Sequence, residues 1–363
     1  MARLLAAMSG GVDSAVAAAL AVREGHDVTG VTLKQWEHDH EESRLSKGCC
    51  TLDAVADARR AADVIGIPHY TLDFREIFER EVVAPFAAEY AAGRTPNPCV
   101  RCNEIVRFGA LVDRAQALGF DALVTGHYAR IAGGPHGLRL LRARAADKDQ
   151  SYVLYALGQR ALERARFPLG EMESKDRVRE LATKLGLPNA SREDSVEVCF
   201  VPEGAGPADV VAQRHPEAVR PGPVLDENGG TVGTHRGLAN YTVGQRRGLG
   251  NVSGARKGAT RPVYVSHLDR DRNAVVVTAA ERLVRSSLTA TRARWVSGVP
   301  DAGSRVSAVL RYRGERYPAT CFADDAAFRL DFDKPARAVA PGQSAVLYDG
   351  DEVLGGGLIW SSA

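Results

Sequence analysis

Long hydrophobic runs are what this chain most plainly lacks. No stretch approaches the roughly 18 consecutive apolar residues of a membrane-spanning helix, so none is expected to cross a bilayer. The apolar start, Met1 to Met8, is broken at once by Ser9, Gly10, Gly11 and Asp13, which suits a buried first strand and not a signal peptide. A cysteine scaffold is missing as well: six cysteines are scattered through 363 residues without the spacing of a small disulfide framework. That implies a reducing compartment, the cytoplasm, where thiols serve chemistry or metals. Nor does one sign of charge prevail. The formal net charge is +2, which neither demands nor excludes a nucleic-acid partner, so distribution must decide. Internal repeats and low-complexity tracts are absent too.

What remains is the composition of ordinary globular domains, 45% hydrophobic and 25% charged. At roughly 100–200 residues per domain, this length makes two or three domains in what is expected to be a monomer. The first half alternates short apolar strands, at 3–8, 27–33, 69–74 and 122–126, with helices at 13–24, 52–65, 75–92 and 103–118. That alternation is the mark of an α/β fold with a doubly wound parallel sheet, whose strands present any ligand at their carboxyl ends. A hairpin around Gly133 and Gly137 precedes a further helical block, 151–187, closed by Pro188. After Phe200 glycine, proline and asparagine multiply and β-like runs take over, at 263–266, 274–278, 306–312, 328–332 and 344–348. The expected domains are therefore a catalytic unit (1–203), a small linker-like domain (204–280) and a C-terminal β-barrel (281–363). Eight Lys/Arg between Arg236 and Arg272 face only Asp269 and Asp271, a basic stripe able to follow phosphates.

The strongest local signal is Ser9-Gly10-Gly11-Val12-Asp13-Ser14, set between the first strand and an Ala-rich helix. Two glycines let the backbone turn tightly and bring amides to phosphate oxygens, and the helix amino end adds favourable charge. Ser9 and Ser14 can donate hydroxyl hydrogen bonds, and Asp13 can hold a magnesium ion bridging the phosphates. No Lys follows the second glycine, so this is not a Walker loop. It resembles the loop of the ATP pyrophosphatase superfamily, whose members split ATP between the α and β phosphates and adenylate a carbonyl oxygen. The nucleotide-binding stretch is then Ala7, Met8, Ser9, Gly10, Gly11, Val12, Asp13 and Ser14. In a doubly wound sheet the adenine lies over the next strand end, which adds Leu33 and, from the fourth strand, Gly126.

Thr95-Pro96-Asn97-Pro98-Cys99-Val100-Arg101-Cys102-Asn103 sets a CxxC at the start of a helix. A thiol there, beside Arg101, should have its reactive thiolate stabilised. A third cysteine, Cys199, follows Asp194-Ser195 on an expected strand end. Cys99, Cys102 and Cys199 could ligate three irons of a [4Fe-4S] cluster, or zinc. Cys321 reads as core, and Cys49 with Cys50 as packing or loop ordering.

Taken in order, SGGVDS, GCC, TPNPCxxCN, TGHYAR, KDQSYVL, a Cys-Phe after a DS pair, and YTVGQRRGL resemble the bacterial tRNA-specific 2-thiouridylase family across nearly the whole chain. The resemblance implies an ATP-using sulfurtransferase that acts on the wobble uridine of tRNAs for Lys, Glu and Gln. Its sulfur would come from a cysteine desulfurase or a relay protein. By correspondence, Cys199 carries the sulfur as a persulfide, Cys102 is the nucleophile, and a transient Cys102–Cys199 disulfide results. Asn97, Pro98 and Cys99 correspond to the contacts of the target base; some members have Asp in place of Cys99. His127, Lys148, Asp149, Gln150, Arg311, Tyr312 and Gln343 correspond to tRNA contacts. Two alternatives remain: an amidating enzyme that shares the adenylating loop, and an RNA-binding protein without catalysis.

Overall fold

The computed structural model describes residues 1–36, 52–192, 198–202, 204–249, 252 and 262–363. Cys49 and Cys50, the Asp194-Ser195 pair, and Arg256, Lys257 and Arg261 of the basic stripe lie outside the described residues.

The first sheet contains β1 (Arg3–Ala7), β2 (Asp27–Lys34), β3 (His69–Asp73) and β4 (Ala122–Val124). Two further strands, β5 (Ala129–Gly134) and β6 (Gly137–Arg142), belong elsewhere, and β7 (Ala165–Arg166) completes it in the order β3-β2-β1-β4-β7. Every pairing is parallel. The chain steps outward from β1 to β3, then returns to the other side of β1, so a crevice opens between β1 and β4 at the strands' carboxyl ends. Alternation along β1 sends Leu4 and Ala6 to one face and Leu5 to the other. On the first face lie α1 (Val12–Arg23) and α2 (Leu52–Ile65) with the Lys175–Lys184 helix. The Ala-rich α1 is buried almost all round, because small side chains let it approach the sheet closely.

The opposite face is packed by helical runs 75–91 and 98–117, through Phe78, Val82, Phe86, Val106 and Leu111. Both runs contain a wide π segment, Glu79–Val83 in one and Cys102–Leu111 in the other. Such bulges recur where a helix is bent to serve a site.

The expected helical block 151–187 is instead a 3-10 turn (Ser151–Leu154), a short helix (Gln159–Glu163), β7 and the Lys175–Lys184 helix. Gly158, Pro168 and Gly170 interrupt it, and Ser174 starts the last helix by accepting from the Arg177 amide.

The middle of the chain carries a sheet of its own. A helix (Pro207–Ala212) precedes β8 (Gly222–Leu225), β9 (Thr231–His235), β10 (Val263–Asp269) and β11 (Ala274–Ala279), in sheet order β10-β11-β8-β9 over a core of Val224, Leu238, Tyr241, Val265 and Val275.

The last sheet comprises β12 (Val284–Trp295), β13 (Ser304–Val309), β14 (Arg316–Ala323), β15 (Ala327–Arg337), β16 (Ser344–Asp349) and β17 (Glu352–Ser362). Its order is β12-β15-β14-β13-β16-β17, and pairing of β12 with β17 closes it into a six-stranded antiparallel barrel. Period-2 patterning puts Phe328, Leu330 and Phe332 inside while Arg329 faces out. The expected strand 306–312 stops at Val309, so Arg311 and Tyr312 lie in the turn beyond it. The β5–β6 hairpin joins this sheet as well: Leu140 and Leu141 pair with Val353 and Glu352. Glycines make the junction possible, since a Cβ at Gly356 would lie 2.6 Å from the Ala345 carbonyl oxygen and 2.9 Å from the Tyr155 ring.

Candidate active site

The loop after β1 is braced from within. The Ser9 amide donates to Ser14 Oγ at 3.1 Å, and Ser14 Oγ donates to the Gly11 carbonyl at 3.0 Å. Gly10 has φ of +77°, and a Cβ there would meet the Ala54 carbonyl oxygen at 2.4 Å; no other residue fits. Across the crevice, a Cβ at Gly126 would lie 2.7 Å from the Ser14 nitrogen, so glycine lets the end of β4 approach the start of α1. The crevice holds a cavity of about 190 Å³ lined by Ala7, Met8, Ser9, Asp13, Ser14, Leu33 and Gly126. Gly10, Gly11 and Val12 shape the loop without facing that cavity.

Asp13 is held at both oxygens: Tyr128 Oη donates to Oδ1 at 2.7 Å, and Lys175 Nζ reaches Oδ2 at 2.6 Å. Lys175 is a buried cation on the first residue of its helix, and sequence reasoning missed it because no local motif marks it. The expected magnesium role of Asp13 therefore meets a carboxylate already paired. Asn189 Nδ2 and Arg192 Nη1 both reach the Gly10 carbonyl oxygen, at 3.0 and 3.4 Å, and latch the loop from behind.

Two expected RNA contacts, His127 and Gln150, line this same cavity with Arg107 and Gln35. His127 is buried between Phe108 and Phe167, and its Nδ1 lies 2.8 Å from Thr125 Oγ1. Burial first, and the charge of Arg107 second, lower its pKa to about 3, so the ring is neutral. It can exchange hydrogen bonds with a ligand but offers a phosphate no charge. Gln150 accepts from the Tyr128 amide. Asp149 is engaged inside the protein, by Arg142 Nε at 3.1 Å, the Ala143 amide at 2.9 Å and Ser151 Oγ at 2.8 Å. Lys148 stands beside it, half-buried.

In the TPNPC segment, Asn97 caps the short Pro98–Arg101 helix by accepting from the Cys99 amide. Cys99 is exposed and Cys102 buried, 6% exposed. The Cys102 sulfur accepts a hydrogen bond from Gln35 Nε2 at 3.6 Å. Arg101 does not serve the thiol as expected: its guanidinium is tied to the backbone oxygen and side chain of Glu81. Cys199 lies in a turn and not on a strand, at the edge of the hydrophobic cluster that contains Cys102. Its neighbour Phe200 anchors the turn against Phe86 and Phe78, with ring centroids 5.0 and 5.7 Å away.

Among the described residues no group of three His, Cys, Asp or Glu side chains is placed to hold a metal ion. Cys99, Cys102 and Cys199 are all described, and they are not gathered in such a group. Cys321 is core, as read from the sequence; burial pushes its thiol up to about 11.

A second cleft, of about 230 Å³, brings Arg311 and Gln343 together with Thr242 and Arg337, between the middle sheet and the barrel. The Tyr312 ring lies 6.0 Å from Tyr152. Thr95 joins three parts of the chain: its amide donates to the Pro341 carbonyl at 2.9 Å, its carbonyl accepts from Gln343 Nε2, and its hydroxyl meets Thr242 Oγ1 at 3.2 Å.

Three family models match in series: "tRNA methyl transferase HUP domain" over residues 2–203, "tRNA methyl transferase PRC-barrel domain" over 208–279 and "Aminomethyltransferase beta-barrel domain" over 285–359. Curated relatives called tRNA-specific 2-thiouridylase match end to end. The one from Chloroflexus aggregans is 47% identical over 99% of this chain and 98% of its own. That from Moorella thermoacetica is 47% identical over 99% of both, and that from Streptomyces coelicolor 46% identical over 99% of this chain and 95% of its own. The chain belongs to the tRNA-specific 2-thiouridylase family. In this member the stretches matched by the three models contain, in turn, the parallel sheet, the four-stranded sheet and the closed barrel. Among the described residues no helix is long and apolar enough to cross a membrane.

Proposed function

We propose that this chain binds ATP in the β1–β4 crevice, adenylates O2 of the anticodon wobble uridine of tRNAs for Lys, Glu and Gln, and replaces that oxygen with sulfur. The observation that carries the reading is the tie between Gln35, in the wall of the nucleotide cavity, and the Cys102 sulfur: adenylating and thiol chemistry meet at one wall. The curated relatives are named for the 2-thiolation of tRNA uridine alone. Although two of the family models carry a methyl transferase label, a phosphate-cradling loop and a buried cysteine suit adenylation and sulfur transfer better.

In the first step uracil O2 attacks the α phosphorus and pyrophosphate leaves, so that AMP becomes the later leaving group. Amides and hydroxyls of Ser9–Ser14 receive the phosphates, with Lys175 and Arg107 supplying positive charge. Magnesium brought by ATP would find Asp13 the one carboxylate of the loop, in exchange with Lys175. Neutral His127 and Gln150 orient the base, and Asn97, Pro98 and Cys99 flank it. In the second step the outer sulfur of a Cys199 persulfide attacks C2 and expels AMP. The Cys102 thiolate then attacks the Cys199 sulfur, releases 2-thiouridine and leaves a Cys102–Cys199 disulfide, which an external dithiol reduces. The sulfur reaches Cys199 from a cysteine desulfurase or a relay protein.

The functional units are 1–203 for catalysis, and 204–280 with 281–363 for tRNA contact. Arg311 and Gln343 contact the tRNA from the second cleft, Tyr312 from the turn beside Arg311, and Lys148 from the 148–154 turn that Asp149 holds from inside. The protein works as a cytoplasmic monomer.

The test is ATP-dependent thiolation of unmodified tRNA, read as 2-thiouridine and AMP. Cys102→Ser and Cys199→Ser are expected to abolish 2-thiouridine. Retained activity in Cys199→Ser overturns the persulfide assignment, and tRNA-independent AMP formation without thiolation overturns the whole reading.

A further inference from the structure

We infer that Gln35 is a positioning residue for Cys102, whose amide favours the thiolate of that cysteine and holds it at the wall of the nucleotide cavity. This deepens the reading above and rests on its assignment of Cys102 as nucleophile.

Gln35 follows directly on β2, at the carboxyl end of the sheet where ligands bind, and is only 2% exposed. A buried amide must find polar partners, and this one spends a donor on sulfur, Nε2 to Sγ at 3.6 Å. The choice has a chemical consequence. Burial of Cys102 opposes ionisation, and Arg101, the cation next to it in sequence, is bound to Glu81. An N–H donor accepted by sulfur counters that opposition, because a hydrogen bond is stronger when its acceptor is charged. Gln35 also lines the cavity together with Ser9, Asp13 and Leu33, so the group that steadies the nucleophile stands where the activated uracil must arrive.

Its neighbour reaches toward the other sulfur position. The Trp36 ring lies 6.2 Å from Phe200, the residue after Cys199, and Phe200 is itself buried. Two consecutive residues at the end of β2 thus meet the surroundings of both cysteines. A leucine at position 35 would fill the same space; only the amide can act on the thiol's ionisation.

The experiment uses the full-length protein, free of ATP and tRNA, with Gln35→Leu and Gln35→Glu. Iodoacetamide alkylation of each cysteine is followed by peptide mass spectrometry from about pH 6 to about pH 10. Exposed Cys99 is the internal reference, and protection of buried Cys321 together with an unchanged melting curve reports folding. In Gln35→Leu the alkylation rate of Cys102 is expected to fall about tenfold at neutral pH and to recover fully at high pH, as loss of one charge-assisted hydrogen bond implies. Gln35→Glu should lose more, since its carboxylate faces the developing thiolate. A Gln35→Leu profile superimposable on wild type overturns the inference, as does a loss that is equal at every pH, which would mark a packing effect alone. Because alkylation needs no tRNA, this result stands apart from the proposed activity: a protein that fails to thiolate tRNA but shifts its Cys102 profile sinks the function and keeps the role of Gln35.

Discussion

The side-chain amide of Gln343, on the barrel, donates a 2.8 Å hydrogen bond to the carbonyl oxygen of Thr95, 248 positions earlier in the chain. Thr95 opens the segment that leads through Asn97 and Cys99 to Cys102, so the barrel sets where the thiol-bearing helix begins. Gln343→Ala should lower kcat/KM for tRNA thiolation about fivefold, the worth of about 1 kcal/mol for one hydrogen bond. The Kd for ATP should not change, because neither Gln343 nor Thr95 lines the β1–β4 cavity. Equal losses in both would refute a local effect on the TPNPC segment.

Lys175→Met removes the cation from a largely buried pair and leaves Asp13 with Tyr128 alone. Breaking such a pair from one side costs about 3 kcal/mol. Urea denaturation should register that loss, and isothermal titration should show weaker ATP binding, because Asp13 then presents uncompensated negative charge to the phosphates. Lys175→Met with wild-type ATP affinity would remove Lys175 from the phosphate site.

His127 gives a pH signature. In the unfolded chain it takes up a proton near the usual value of about 6.5, but in the folded protein only at about 3. The stability it contributes is therefore fully present above the unfolded value and is lost as pH falls toward the folded one, at no more than about 1.4 kcal/mol per pH unit. Denaturation midpoints at pH 7, 6 and 5 should decline in wild type and decline less in His127→Gln. Parallel curves for the two proteins would mean that His127 is not buried neutral.

Trp360 is 60% exposed, and the Arg94 guanidinium lies 5.8 Å from its ring centroid, one residue before Thr95. An open indole beside a cation is suited to stack on an unpaired base, a contact worth about 1–3 kcal/mol. Trp360→Ala should raise the Kd for tRNA about tenfold and Trp360→Phe about threefold or less, measured by filter binding at fixed salt. Unchanged affinity in the alanine variant would exclude the stacking contact.

The nucleotide loop is legible in the sequence because its chemistry is local: Ser9 to Ser14 fold onto one another, and the glycines mark where only glycine fits. The parallel sheet is legible for a related reason, since each strand and helix announces its own period. The partners of those local groups are not. Lys175 meets Asp13 from 162 positions away, and Gln35 meets Cys102 across 67. Nothing in the spacing of either pair encodes the approach, which follows from how the helices cover the sheet. The middle strands β8 and β9 are hidden by glycine and proline, and β17 by Gly355-Gly356-Gly357, residues that weaken strand preference yet permit close packing. Arg101 misleads because helical geometry turns it toward Glu81.

The hairpin that begins one residue after Tyr128 runs into the barrel's final strand, so the catalytic half and the C-terminal half share a single continuous ladder. Swinging one against the other would break the pairing of Leu140 and Leu141 with Val353 and Glu352, so this short ladder frames how the two halves sit. A folded RNA must present its reactive base at the depth this frame dictates, and a fragment cut before β12 would be left with the naked edge of β6, a template for aggregation.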